Sequence, residues 1–117
     1  MMNSNVFVVD THALVWFLAD DPRLSAAADD LLTVAEDRPE EYKLLIPTTV
    51  LAEALSVAEK GRVKISTEET LERIQGLAVY SIVPFDVEVF REMLNLPKEL
   101  ELHDRVIAAT ARLYGAR

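Results

Sequence analysis

The sequence predicts an α/β sandwich, a short parallel sheet packed between helices, and three observations predict it. Continuous apolar runs such as Val6-Phe7-Val8-Val9 read as strands buried on both faces, which is the signature of a parallel sheet. Segments with helical apolar spacing alternate with these runs along the chain, so each strand-to-strand connection is a helical crossover, right-handed by rule. No linker, internal repeat or low-complexity stretch interrupts the pattern, and 117 residues fit one domain spanning 1–117.

The elements follow in order. The first strand covers 6–9 and ends at Asp10. A first helix over 12–19 carries Leu14, Val15, Phe17 and Leu18, has Thr11 as its expected cap, and is broken by Asp20-Asp21-Pro22. Ser25 is the N-cap expected for a second helix to residue 36, with Leu24, Ala28, Leu31, Leu32 and Ala35 on one face. A second strand over 42–46 ends at Pro47, and Thr48 or Thr49 caps a third helix that runs to about residue 60 and stops at Gly61. Ser66-Thr67-Glu68-Glu69 opens a fourth helix with Leu71, Ile74 and Leu77, close to a capping box. A third strand over 79–83 ends at Pro84, a fifth helix covers 87–94, and the last helix runs from Asp104 to Tyr114 and stops at Gly115.

Composition narrows the chemistry. Half of the residues are hydrophobic, enough for a core and against disorder. The absence of cysteine excludes a disulfide scaffold, a thiolate zinc site and a cysteine nucleophile. His12 and His103 are too few for a histidine cage. The N-terminal segment has no basic region and the apolar run behind it stops at Asp10, too short for a signal peptide or a membrane span, so a soluble cytoplasmic protein is expected. The formal net charge of −8 repels a phosphate backbone, and a nucleic-acid substrate would need a local inversion of the field. A bound divalent cation supplies that inversion most simply. A basic protein partner, or solubility alone, accounts for the same charge.

Three acidic residues stand where a parallel sheet places its ligands, beyond the carboxyl ends of the strands. Asp10 follows the first strand, Glu53 lies a turn and a half into the helix after the second, and Asp104 opens the last helix. Each has a second reading. Asp10 suits a turn or helix cap, Glu53 suits a solvent-facing position, and Asp104 suits a helix start on dipole grounds. As ligands, three hard oxygen donors without cysteine favour Mg²⁺ or Mn²⁺ over zinc.

Three segments carry a family resemblance. Residues 6–16, VFVVDTHALVW, resemble the opening strand and helix of PIN-domain toxins of the VapC type. Residues 46–53, IPTTVLAE, resemble their second acidic segment, and 59–63, EKGRV, the helix end that follows it. Residues 102–111, LHDRVIAATA, resemble the third, which is the most specific of them. The resemblance covers nearly the whole chain, and it implies a PIN-like three-layer α/β/α sandwich and a metal-dependent endoribonuclease. It makes Asp10, Glu53 and Asp104 the metal-binding and catalytic acids, with Thr11 ordering a metal-bound water, and it implies hydrolysis of phosphodiesters in RNA. It also implies a cognate antitoxin, basic or amphipathic, over the acidic groove, and a homodimer. One departure stands out. The family carries a fourth acid in or after a further strand beyond the last helix, whereas the sequence ends at Gly115-Ala116-Arg117. Loss of that strand is expected to leave an unpaired edge beside the first. A PIN fold kept as a catalytically impaired binding module is the alternative this departure raises.

Other residues are weighed beside these. Arg62 and Arg105 are candidate phosphate contacts, as are Lys60 and Lys64, with solvated helix ends the competing reading. His103 is read as a helix-start residue before a proton carrier, and Trp16 as core or subunit contact before a base-stacking platform. Glu99 and Glu101 read as a solvated acidic loop before extra ligands. A phosphatase or phospho-receiver on a similar frame ranks last, because Asp10-Thr11-His12 lacks the second acid of a DxD motif.

Overall fold

The computed structural model describes residues 5–117; the N-terminal stretch read above for charge falls partly on residues 1–4, outside them. In chain order the elements are β1 (Val6–Val8), α1 (Thr11–Leu18), α2 (Ala26–Asp37), β2 (Lys43–Pro47), α3 (Thr48–Glu59), α4 (Thr67–Gly76), β3 (Tyr80–Val83), α5 (Val87–Leu94) and α6 (Leu102–Tyr114). The strands form one parallel sheet in the order β1-β2-β3, with Phe7 opposite Leu44 and Leu45 opposite Ser81. This is the predicted α/β class, with every expected strand and helix present.

The strands are apolar on both faces because both faces are covered. Leu44 and Ile46 point into a core shared with Val9, Leu14, Leu32, Val50 and Ile74, contributed by α1 to α4. Val6, Leu45 and Val83 point the other way, onto Ala116 with Val8 and Ala111 packed against them. α5 and α6 close on each other through Val89, Met93, Val106 and Ala109. The alternation along β2 therefore sends successive leucines to opposite layers. The result is helices on each side of a sheet, the α/β/α arrangement.

Two expectations about chain ends of elements are corrected. Thr11 does not cap α1; Asp10 does, its Oδ1 accepting from the Ala13 amide at 2.8 Å, and Thr11 is buried as the first helical residue. Neither Thr48 nor Thr49 caps α3, which follows directly on β2 with Pro47 at its N-cap and no side-chain cap. Proline at that junction withholds no needed donor, and the Thr48 hydroxyl instead accepts from the Phe85 amide at 3.1 Å, tying α3 to the loop after β3.

The unpaired edge beside β1 is also corrected. The Arg117 amide donates to the Val6 carbonyl at 2.8 Å, and the Val8 amide donates to the Arg117 carbonyl at 3.1 Å. That exchange is the parallel pattern, one residue bonding to both neighbours of its partner. Gly115, at φ +64, makes the turn that lets the chain leave α6 and lie along β1. Among the described residues no helix is long and apolar enough to cross a membrane.

Candidate metal and nuclease cleft

β1, β2 and β3 are parallel, so their carboxyl ends share one edge of the sheet, and the chain following each strand starts there. α6 returns antiparallel to β1 and brings its own N-terminus to the same edge. Asp10, Thr11 and His12 at the start of α1, Thr49, Val50 and Glu53 on α3, and Glu101, His103, Asp104 and Ile107 on α6 line one cleft of about 290 Å³ there. The three acids singled out in the sequence, 43 and 51 positions apart along the chain, open onto a common space (53 − 10 and 104 − 53).

Each carboxylate has a different set of obligations. Asp10 uses Oδ1 to cap α1, and its other oxygen has no partner among the described residues. Cap and ligand, offered as alternatives by the sequence, are compatible because they occupy different oxygens. Glu53 Oε2 lies 2.7 Å from His103 Nε2, a bridge from α3 across the cleft to α6, with side-chain exposures of 26% and 51%. Asp104 has no side-chain hydrogen-bond partner among the described residues. It does not open α6, as expected from the sequence; Glu101 is the N-cap, with Oε2 accepting from the His103 amide at 2.9 Å and the Asp104 amide at 3.3 Å. An acid at the N-cap and another three residues on both face the positive end of the helix, which favours both charges.

The donor set fits a hard divalent cation in type: oxygen donors from three segments, each with a carboxylate oxygen unused by the described residues, on a solvent-open cleft. The side chains are not drawn into a closed ligand set. Among the described residues no three of His, Asp or Glu stand close enough together to hold an ion at once. The Glu53 carboxylate is bonded through Oε2 to His103, with Oε1 left to face the other acids.

The other predicted contacts divide. Arg105 does not face the cleft. Its Nε and Nη2 donate to the Met93 carbonyl at 3.0 and 2.7 Å, and Nη2 reaches the Leu96 carbonyl at 3.4 Å. It satisfies carbonyls left open where α5 ends, a structural duty that leaves it no reach for phosphate. Arg62 is exposed in the loop between α3 and α4, outside the cleft lining. Trp16 is half-buried on α1 beside Val15, Ala54 and Val63, with Arg23 over its ring. Three residues that the sequence ranks below the acids, His103, His12 and Glu101, also line the cleft. Glu101 had a local signal, an acid three positions ahead of Asp104; the His103 contact with Glu53 had none.

No curated protein shows significant similarity to the chain. The family model of the PIN domain matches residues 7–117, from β1 through the residue paired with it. PIN domains are typically metal-dependent nucleases, and the match takes in the cleft and all of its lining residues. The chain belongs to the PIN domain family.

Proposed function

We propose that this protein is a metal-dependent endoribonuclease, the toxin of a VapC-type toxin–antitoxin pair, with Asp10, Glu53 and Asp104 as the residues that hold Mg²⁺ or Mn²⁺. The observation that carries this is the meeting of the three acids on one cleft at the carboxyl edge of the sheet. The family's general nuclease activity and the three VapC-like segments supply the reaction class.

The chain's own residues have distinct duties in this reading. Asp10 offers the oxygen that α1 does not use, and the α1 cap fixes its direction. Asp104 stands on the first turn of α6 with its carboxylate free of donors among the described residues. Glu53 joins them by offering Oε1 while Oε2 stays bonded to His103, which orients it. Thr11, buried beside Asp10, carries the hydroxyl that orders a water at the site. When bound, the divalent ion offsets the charge that repels RNA from an acidic protein, polarises the scissile phosphate and makes a water nucleophilic. Without an ion, clustered carboxylates repel one another and resist full ionisation.

The partners that go with this reading are an RNA substrate, a cognate antitoxin with a basic or amphipathic segment, a second copy of the chain, and a cytoplasmic setting. The exposed apolar residues Phe85, Val87, Phe90, Leu94 and Leu102 support a protein partner, since they are more than an isolated surface leucine requires.

Calorimetry with Mn²⁺ and cleavage of a broad RNA panel test the proposal together. Asp10→Asn and Asp104→Asn are expected to lower cleavage by at least about 100-fold, because several kcal/mol of charge stabilisation depend on the ion. Asparagine still caps α1, so Asp10→Asn leaves stability nearly unchanged. Intact RNA throughout the panel with metal-saturated wild-type protein would end the enzymatic reading and leave a binding module.

A further inference from the structure

We propose that a strip of side chains leading out of the cleft over α1 to the α3–α4 loop is the path that holds single-stranded RNA, through His12, Trp16, Arg23 and Arg62, with Lys60 and Lys64 beside Arg62. This rests on the cleft being a ribonuclease site, and it adds the residues that line the strand's path and the direction in which it leaves.

The strip is continuous by contact. His12 is exposed and lines the cleft next to Asp10. Its ring centroid stands 5.3 Å from that of Trp16, tilted by 44°. The Arg23 guanidinium carbon lies 5.2 Å from the Trp16 ring centroid, over its face. Arg23 Nη2 in turn approaches the Arg62 carbonyl at 3.5 Å, at the base of the α3–α4 loop. An imidazole, an indole and a guanidinium thus follow one another from the acids to a cationic loop.

Each group is held where it is. Trp16 is backed by the cluster of Val15, Ala54 and Val63. Asp21 grips Arg23 with two bonds, to Nε at 3.0 Å and to Nη2 at 2.7 Å, which keeps the guanidinium plane on the indole. The middle group is a support, while the outer two present free surfaces: the His12 ring at the cleft and the far side of the guanidinium. Both kinds of plane accept an unstacked base.

Charge agrees with this direction. The chain carries −8, yet Arg23, Lys60, Arg62 and Lys64 are exposed together at this end of the strip. Asp21 cancels Arg23, so its contribution is the plane; the three loop cations supply attraction for the backbone. The bland reading is a tryptophan sealed by a salt-bridged arginine. It accounts for Trp16 and Arg23; His12, one turn before Trp16 on α1, adds an exposed imidazole tilted against the same indole at the mouth of the cleft. A duplex hides its base faces inside the stack, so such planes select single strands.

Trp16 is the sole tryptophan, which makes it a built-in reporter. In the full chain carrying Asp104→Asn, titration with a single-stranded RNA of about eight nucleotides is expected to change its fluorescence. Adding His12→Ala is expected to weaken the dissociation constant about 5-fold or more, since a base stack is lost. Adding Arg62→Ala should weaken it less and flatten its salt dependence by about one phosphate contact. Lys43→Ala, at the opposite end of the strands, should change nothing. Both His12 and Arg62 are exposed, and unchanged thermal midpoints confirm that those variants fold. Equal affinity in the doubly substituted protein, or equal affinity for duplex RNA of the same sequence, overturns the strip. Cleavage by protein with Asp104 intact is measured separately, so the site can survive the failure of the strip, and its own failure is visible as an absence of cleavage.

Discussion

Two carboxylates in this protein are each held by a nitrogen donor on a distant segment, and their surroundings make them different devices. Glu36 on α2 accepts from Arg73 Nε at 3.0 Å and Nη2 at 2.6 Å, and from the Tyr80 hydroxyl at 2.6 Å. Among the described residues Glu53 on α3 bonds to His103 alone. The first set joins α2, α4 and β3 with a two-pronged arginine and a phenol, and the Arg73 guanidinium also lies over the Phe17 ring at 5.3 Å. The hydrogen bond to Glu36 pushes the Arg73 guanidinium above its usual range, and burial, aided by Glu36, pushes the Tyr80 phenol up. Both donors are thereby locked in their proton-bearing forms. The second pair has one bond and sits at a cleft open to solvent. A saturated carboxylate holds a fold together, whereas one with a free oxygen beside other acids can accept a ligand.

The sharpest way to break this contrast is to remove each carboxylate's support in turn. Glu36→Ala is expected to cost about 2 kcal/mol, below the figure for a fully buried pair because Arg73 is partly exposed. That corresponds to a thermal midpoint lower by roughly 8 °C for a domain of this size. Differential scanning calorimetry reads it directly, and a loss no larger than that of Glu41→Ala, on a surface pair, would put the two carboxylates in one class.

His103→Ala tests the other side. Stability should hardly move, since exposed pairs contribute little. The expected loss is in Mn²⁺ affinity, roughly 10-fold, because partners that orient ligating carboxylates matter at about that level. His103→Gln keeps a donor near the Nε2 position and should restore most of the affinity. In a Glu53→Gln background the alanine change should have no further effect. A rise in affinity on removing His103 would mean that the imidazole competes with the ion for Glu53 and does not orient it.

Tyr80→Phe trims the buried set by a single bond. Arg73 continues to serve Glu36, so the expected cost is about 1 kcal/mol, seen as a shift in the urea midpoint without a change in slope.

The two devices also differ in how visible they were in the sequence. Periodicity carried the fold: Val6-Phe7-Val8-Val9 and Leu44-Leu45-Ile46 announce strands covered on both faces, and Ser25 and Ser66 cap the helices expected of them. Asp10, Glu53 and Asp104 were legible as candidates through their place after strands and at helix starts, and through the three family-like segments. Contacts between segments were not legible. Nothing local in Glu36 or Glu53 tells which finds two donors and which finds one, because the answer depends on Arg73, Tyr80 and His103, all more than 30 residues away. Arg105 was misjudged for the same reason, as the carbonyls it satisfies belong to another helix. The β1 edge was misjudged because the pairing comes from Arg117 alone, too short a stretch to carry an apolar pattern.

The smallest expected effect concerns the grip of Asp21 on Arg23, at the outer end of the strip from the cleft. The side-chain bond from Arg23, together with the Arg23 backbone amide, holds the Asp21 carboxyl at about 2, against an ordinary value of 3.8. A depressed carboxyl contributes its stabilisation above the unfolded value and loses it as pH falls through the folded one. The pair should therefore be fully formed above about pH 4, weaken between there and pH 2, and open below. Its surroundings are exposed, so this is a change of local geometry before one of global stability. The Trp16 emission, with Arg23 over the indole, should stay constant on acidification until that window and then shift, and Asp21→Asn should move the change to neutral pH. A shift centred near the ordinary aspartate value in the native protein would show that the guanidinium does not hold the carboxylate. The surface of the strip would then be mobile where that of Glu36 is fixed.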